Sequence, residues 1–382
     1  MTRVSGDWLT CDSTQEVLAM LEAGGHVAYA VGGCVRNALM GVPVADVDIA
    51  TDARPERVVE LAQAAGLKPV PTGIDHGTVT VVSEGIGHEV TTFRADVETD
   101  GRRAVVRYSD DIAEDAARRD FTMNALYADA HGTLFDPLGG LPDLEARRVR
   151  FIRDAGERIR EDYLRILRFF RFSAWYGDPE AGVDAEALAG IAANLDGLET
   201  LSRERVGQEV TRLLSAADPA PSVGVMEQVG VLHRVLPNAT IQALAPLITV
   251  EEALGLVADP MRRLAVLGYF DGKVLRLSRA RQRQLELYQS LISANAGPAE
   301  IAYRHGRDMA WDIAALRAAS IYMPVAPDTG AEIAKGLGAV FPVKPRDLMP
   351  DLQGPALGEA LRRLEARWIA SGFTLSRAEL LA

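Results

Sequence analysis

The chain has 382 residues, 48% hydrophobic and 25% charged, with 41 Lys and Arg against 53 Asp and Glu for a formal net charge of −12. That length and balance fit a globular protein of two or more domains, and no apolar run is long enough for a helical membrane span. Two cysteines, Cys11 and Cys34, suggest neither a disulfide framework nor a zinc cluster, and the N-terminus lacks a signal peptide's apolar stretch, so the expected compartment is the cytosol.

The first ~140 residues read as mixed α/β. An amphipathic helix near 13–23 leads to an apolar strand at 27–31, a Gly32-Gly33 turn and a short helix around 35–40. A strand over 44–49 follows, then a helix over 55–65 with Thr51 or Asp52 as its N-cap. Residues 78–83 and 88–93 are β-rich, and Glu84-Gly-Ile-Gly between them predicts a hairpin. Residues 96–108 are polar with few apolar anchors and read as a mobile loop. A helix is expected to open over 120–127, before the turn-rich run Asp136-Pro-Leu-Gly-Gly-Leu-Pro-Asp143. Beyond about residue 150, helical periodicity dominates. Its windows are 157–175, 203–214, 261–267, 279–292 and 355–369, with Pro/Gly-rich breaks near 177–183 and 336–345.

Chemistry concentrates in a few runs. A strand presents residues i and i+2 on one face, about 7 Å apart, so Asp46 and Asp48 aim two carboxylates at one point. Such a pair suits two Mg²⁺ ions about 3.5–4 Å apart holding a phosphate. An Asp-x-Asp pair on a strand edge is equally well explained as solvated. The preceding Gly32-Gly33 turn and Arg36 favour a triphosphate site instead, because backbone N–H groups at a helix start approach anions. Arg118 and Arg119 precede Asp120, a cap with Phe121 turned inward; Arg119 is the candidate for phosphate or ribose. Glu89 is either a surface strand acid or a third carboxylate. The six histidines form no metal-ligand pattern, and Cys34 is expected to pack behind the glycine turn.

In the run Glu161-Asp-Tyr-Leu-Arg-Ile-Leu-Arg-Phe-Phe-Arg171, Asp162, Arg165, Arg168 and Arg171 recur every third residue between apolar positions. A salt-bridged outer helix face is the plain reading. Asp162 and Arg165 permit a sharper one: a carboxylate only accepts hydrogen bonds and a guanidinium only donates them. Cytosine and adenine each offer an amino donor beside a ring acceptor; uracil and guanine offer the reverse. An Asp–Arg pair therefore selects C and A. Nine arginines against four acids fill residues 147–171, and only four of the 41 basic residues are lysine. Arginine suits phosphate, which offsets the negative total as an argument against nucleic acid. Leu201-Ser-Arg-Glu-Arg-Val-Gly-Gln-Glu209 reads as a Ser-capped structural helix.

Together these runs resemble the class II CCA-adding tRNA nucleotidyltransferases and the bacterial poly(A) polymerases of the polymerase-β superfamily. The resemblance is carried by Gly32-Gly-Cys-Val-Arg-Asn37, Asp46-Val-Asp-Ile-Ala-Thr51, Glu89-Val-Thr-Thr-Phe-Arg94, Ala117-Arg-Arg-Asp-Phe-Thr-Met-Asn124, residues 136–143 and residues 161–171, in family order. It implies an α+β fold: a polymerase-β-like head of mixed sheet and helices over 1–140, a helical neck reading the base over 141–250, and a helical, tRNA-binding body and tail over 251–382. It implies that Asp46 and Asp48 are catalytic and hold two Mg²⁺, that Gly33, Arg36 and Arg119 hold ATP or CTP, and that Asp162 and Arg165 read the base with Arg168 and Arg171 assisting. The implied partners are tRNA, ATP and CTP, with no membrane and no protein partner evident. Asn37 stands where the family usually has Asp, with little expected effect on metal binding. The implied reaction is addition of C, C and A to tRNA.

Alternatives are a poly(A) polymerase, a CC- or A-adding specialist, a small-molecule nucleotidyltransferase and a silent tRNA-binding protein. Pro71-Thr-Gly-Ile-Asp-His-Gly-Thr78 replaces the basic stretch usual in bacterial poly(A) polymerases and favours CCA addition.

Overall fold

A computed structural model describes residues 2–100, 103–349 and 351–382. Two compact units emerge, Met1–Pro237 and Asn238–Ala382.

The first unit is built on nine strands: β1 (Ala28–Val31), β2 (Asp48–Thr51), β3 (Lys68–Gly73), β4 (Thr78–Ser83), β5 (Ile86–Thr92), β6 (Arg94–Asp100), β7 (Arg103–Tyr108), β8 (Tyr127–Ala128) and β9 (Leu134–Phe135). Seven form one sheet in the order β3-β4-β5-β2-β1-β8-β9. The pairs are antiparallel except β2 with β5, where Asp48 stands opposite Glu89. A parallel pair needs a crossover, and the helix Pro55–Ala64 with β3 and β4 supplies it. That helix and Asp12–Ala23 bury Val58, Ala62, Val17, Leu18 and Leu21. Another cluster, with Val31, Ala50, Phe93, Ala125, Tyr127 and Ile152, lies behind the functional strands.

Several sequence expectations shift. The β4–β5 turn narrows to Glu84-Gly85, both at positive φ, the two-residue turn that matches strand twist. β2 begins at Asp48, so Asp46 lies in the chain just before the strand rather than on it. The helix Pro55–Ala64 takes Arg54 as its N-cap residue, with Pro55 at its first position. Thr51 instead accepts from Ala53 N (3.2 Å), and Asp52 from Val27 N (3.0 Å).

Residues 94–100 and 103–108 pair as the antiparallel ribbon β6–β7, not the expected loop; residues 101 and 102 lie outside the described residues. The expected helix at 120–127 is a single 3-10 turn, Thr122–Asn124, because the chain then pairs with β1 as β8. The window at 157–175 divides into Ala155–Glu161 and Leu164–Tyr176, broken by extended backbone at Asp162 (φ −153°, ψ 105°).

Helices Arg203–Leu214, Pro260–Val266, Arg279–Ile292 and Gly354–Ala370 follow their predicted windows. The second unit is helical. Near its end Trp368 packs against Tyr303, Phe341 and Phe373 with ring centroids 5.6, 5.5 and 4.9 Å apart. Its core also holds Arg262, which donates to Glu251 (2.8 Å) and Asp312 (2.5 Å). Among the described residues no helix is long and apolar enough to cross a membrane.

Candidate nucleotide-transfer site

The site begins at the β1 turn. Gly32 has φ 72° and ψ −114°, a conformation that a side chain rarely adopts; a Cβ there would stand 3.4 Å from Arg119 Nη1. The chain then turns into the helix Gly33–Leu39. Helix geometry leaves its first N–H groups without intrahelical acceptors. Cys34 is buried behind the turn, as expected, and burial pushes its thiol up to about 11.

Arg36 is buried and held by neutral groups. It donates to Asn124 Oδ1 (2.5 Å), Asn37 Oδ1 (2.8 Å) and Tyr176 Oη (2.8 Å), with its guanidinium 4.0 Å from the Tyr176 ring centroid. Asn37 therefore anchors Arg36, and its amide reaches Pro43 O at 3.0 Å.

Opposite lies a corner of carboxylates. Asp46, Asp48 and Glu89 all reach solvent, although protein surrounds much of the Asp48 carboxyl, and none forms an ion pair among the described residues. Burial raises the Asp48 pKa first, Glu89 and Asp46 raise it further, and Arg119 opposes them. The parallel register brings Glu89 beside Asp48, a placement the sequence left open.

Arg119 donates to Asp115 (3.0 Å) and Tyr127 Oη (3.1 Å). Asp120 is buried and caps Phe121 N (2.9 Å). It also accepts from Asn124 (2.9 Å) and from Arg168 Nε (2.7 Å). Arg158 ties the next helix down by donating to Arg119 O (2.6 Å). Arg165 donates to Arg158 O (2.7 Å) and pairs with Glu161.

Asp162 and Arg165 are not paired with each other. Asp162 accepts from Leu164 N (3.1 Å) and from Arg205 (2.7 Å). The helix Arg203–Leu214 that carries Arg205 is capped by Ser202, as expected. A cation in a helix's first turn opposes the helix dipole, a feature that Arg205 shares with Arg203.

These side chains converge on an open cleft of about 400 Å³. It is lined by Gly32, Gly33, Arg36, Asp48, Arg118, Arg119, Asp120, Asn124, Asp162, Arg165, Arg168 and Phe172. Five arginines face three carboxylates there, an excess of positive charge suited to a polyanion. Seven of the nine sequence candidates line it. Arg171 does not; it faces Glu209 at 2.9 Å and lies over the Phe172 ring. Asp46 stands outside the lining, near enough for its charge to act on Asp48.

Residues 28–150 match the family model described as the poly A polymerase head domain, and residues 182–248 match a probable RNA and SrmB-binding site of polymerase A. The mitochondrial CCA tRNA nucleotidyltransferase 1 of Mus musculus is 34% identical over 381 residues, which cover 94% of this chain and 86% of the mouse protein. The chain belongs to the CCA tRNA nucleotidyltransferase family. The CCA-adding enzyme of Geobacillus thermodenitrificans (strain NG80-2) is 40% identical over 224 residues, 58% of this chain and 54% of that relative. The crystal structure of the Bacillus stearothermophilus CCA-adding enzyme in complex with CTP superposes with a TM-score of 0.72 at 27% identity, covering 94% of this chain and 92% of that one.

For a member of this family, the sequence missed Asn124, Phe172, Tyr176 and Arg205 as parts of the site. Asn and aromatic side chains carry no charge pattern of their own. Only the fold brings them to Arg36 and Asp162.

Proposed function

We propose that this nucleotidyltransferase adds C, C and A to the 3′ end of tRNA from CTP and ATP, releasing pyrophosphate, with protein side chains in place of a template. The observation that carries this reading is one cleft that joins the Asp48–Glu89 corner, an arginine lining and the Asp162/Arg165 reader.

The chain's own groups divide the work. Gly33 and the first helical N–H groups, with Arg36 and Arg119, grip the triphosphate. Arg36 and Arg119 are already fixed by Asn124, Tyr176, Asp115 and Tyr127, so little ordering remains for binding to supply. Asp162 accepts from the amino group of C or A, and Arg165 donates to the ring nitrogen. Arg205 and Glu161 hold these two reader groups. Arg168, locked on Asp120, supports the base side, and Arg171 acts through its stack on Phe172. The tRNA 3′-OH attacks the α-phosphate in line, and pyrophosphate leaves.

Asp46 and Asp48 would hold the family's Mg²⁺ ions, with Glu89 beside them. The donor set is all oxygen and its carboxylates are unpaired, which suits a hard cation. Among the described residues no three metal-ligating groups close on one point. Mg²⁺ is commonly held by one or two carboxylates, with water and substrate phosphate completing its shell. Two ions, when bound, supply charge to the attacking and leaving oxygens.

In this reading residues 1–140 act as the catalytic head, 141–250 as the base-reading neck, and 251–382 as tRNA-binding body and tail. The match at 182–248 to an RNA-binding model supports RNA contact by the helical part. The two free cysteines favour the cytosol as its compartment.

The test supplies tRNA lacking its 3′ end with each nucleoside triphosphate singly and together, and sizes the products. Three-residue growth that needs both CTP and ATP is the expected result. An oligo(A) ladder would assign a poly(A) polymerase, and growth by C alone or A alone a specialist.

A further inference from the structure

The helix Leu164–Tyr176 gives Arg165, Arg168 and Phe172 to the cleft. At 3.6 residues per turn, Trp175 and Tyr176 fall on the same face, within an arc of roughly 100°. The cleft wall therefore continues one turn further as an aromatic step. Tyr176 lies 5.4 Å from Phe172, ring to ring, and carries Arg36 on its face. Trp175 is 46% exposed, and it is the exposed one among the four tryptophans. Its Nε1–H donates to Arg212 O (2.8 Å), which ties down one edge of the ring. Arg212 itself is exposed and has no carboxylate partner among the described residues.

A single-stranded nucleic acid is held by an open aromatic face beside a free cation. The groups assigned above grip the incoming triphosphate and read its base, and none of them holds the strand being extended. That strand's terminal base changes with every addition, so its contact must tolerate any base. Stacking does, because every base has a π-face.

Resting on the proposed function, we propose that Trp175 is the stacking platform for the 3′-terminal base of the tRNA acceptor strand, with Arg212 taking the adjoining phosphate. The platform stands one helical turn from the cleft wall, which keeps the strand end beside the incoming nucleotide.

The test compares the wild-type chain with W175A and W175F, using tRNA lacking its 3′ end. W175A is expected to raise KM for tRNA about fivefold or more, the loss of one stacked base. KM for CTP should stay within about twofold, and W175F should keep tRNA binding near wild type. Binding of tRNA should quench the wild-type tryptophan emission, and W175F should lose most of that quench.

Both variants lack the donor to Arg212 O, so equal KM defects in the two would mean a structural clamp and would overturn the platform. So would a W175A whose KM for tRNA is unchanged, or a quench that survives in W175F. An active wild type with an indifferent W175A sinks this inference alone. A wild type that extends no tRNA sinks the proposed function, and this inference with it.

Discussion

Desolvation, and then repulsion from Glu89 and Asp46, make the Asp48 carboxyl hold its proton to higher pH than usual. Glu89→Gln removes one repelling charge and should lower the Asp48 pKa in the metal-free chain, read from a carboxylate titration by NMR. Asp48→Asn should lower kcat by about three orders of magnitude, since several kcal/mol of charge stabilisation is lost.

Asp115 shows the opposite case. Burial alone would raise it, but Arg119 and Arg118 outweigh burial and hold it down at about 2. Its stabilisation, about 2 kcal/mol, is complete above the unfolded pKa near ~3.9 and is lost as pH falls through the folded value. Asp115→Asn should therefore cost stability at pH 7 and have little effect near pH 2, in denaturant titrations. The charged members of the site were legible in the sequence because carboxylate and guanidinium chemistry is specific. Asn124 and Tyr176 were not, because only tertiary contact gives them a role.

Among the elements, the break at Asp162 matters most. A continuous helix over 157–175 would have put Asp162 in register with Arg165. The extended backbone instead frees its carboxylate to meet Arg205. Apolar periodicity runs straight through the break, so the sequence hid it. Tyr163 packs there against Gly197, where an added Cβ would stand 2.0 Å from the ring. Gly197→Ala should cost about 1–3 kcal/mol of stability. It should also weaken discrimination of CTP from UTP, although residue 197 does not line the cleft; unfolding and paired kcat/KM measurements check both. The β6–β7 ribbon was missed for a related reason, because strands are fixed by their partners as much as by their own residues.

Across the whole molecule, charge is divided unevenly. Residues 1–237 hold 24 basic and 38 acidic side chains, and residues 238–382 hold 17 and 15. A polyanion binds such a chain through local arginine patches against an unfavourable total. KM for tRNA should then rise roughly tenfold or more between about 50 and 200 mM salt, if two or more phosphates are contacted. KM for CTP, set inside the cleft, should change less.

In the proposed function, Asp162 and Arg165 stand in for a template. That role is read from the ratio of kcat/KM for CTP and ATP to that for UTP and GTP in Asp162→Ala, against wild type on the same tRNA. The ratio should collapse while transfer itself persists. A variant that transfers nucleotides with undiminished preference for C and A would contradict that role.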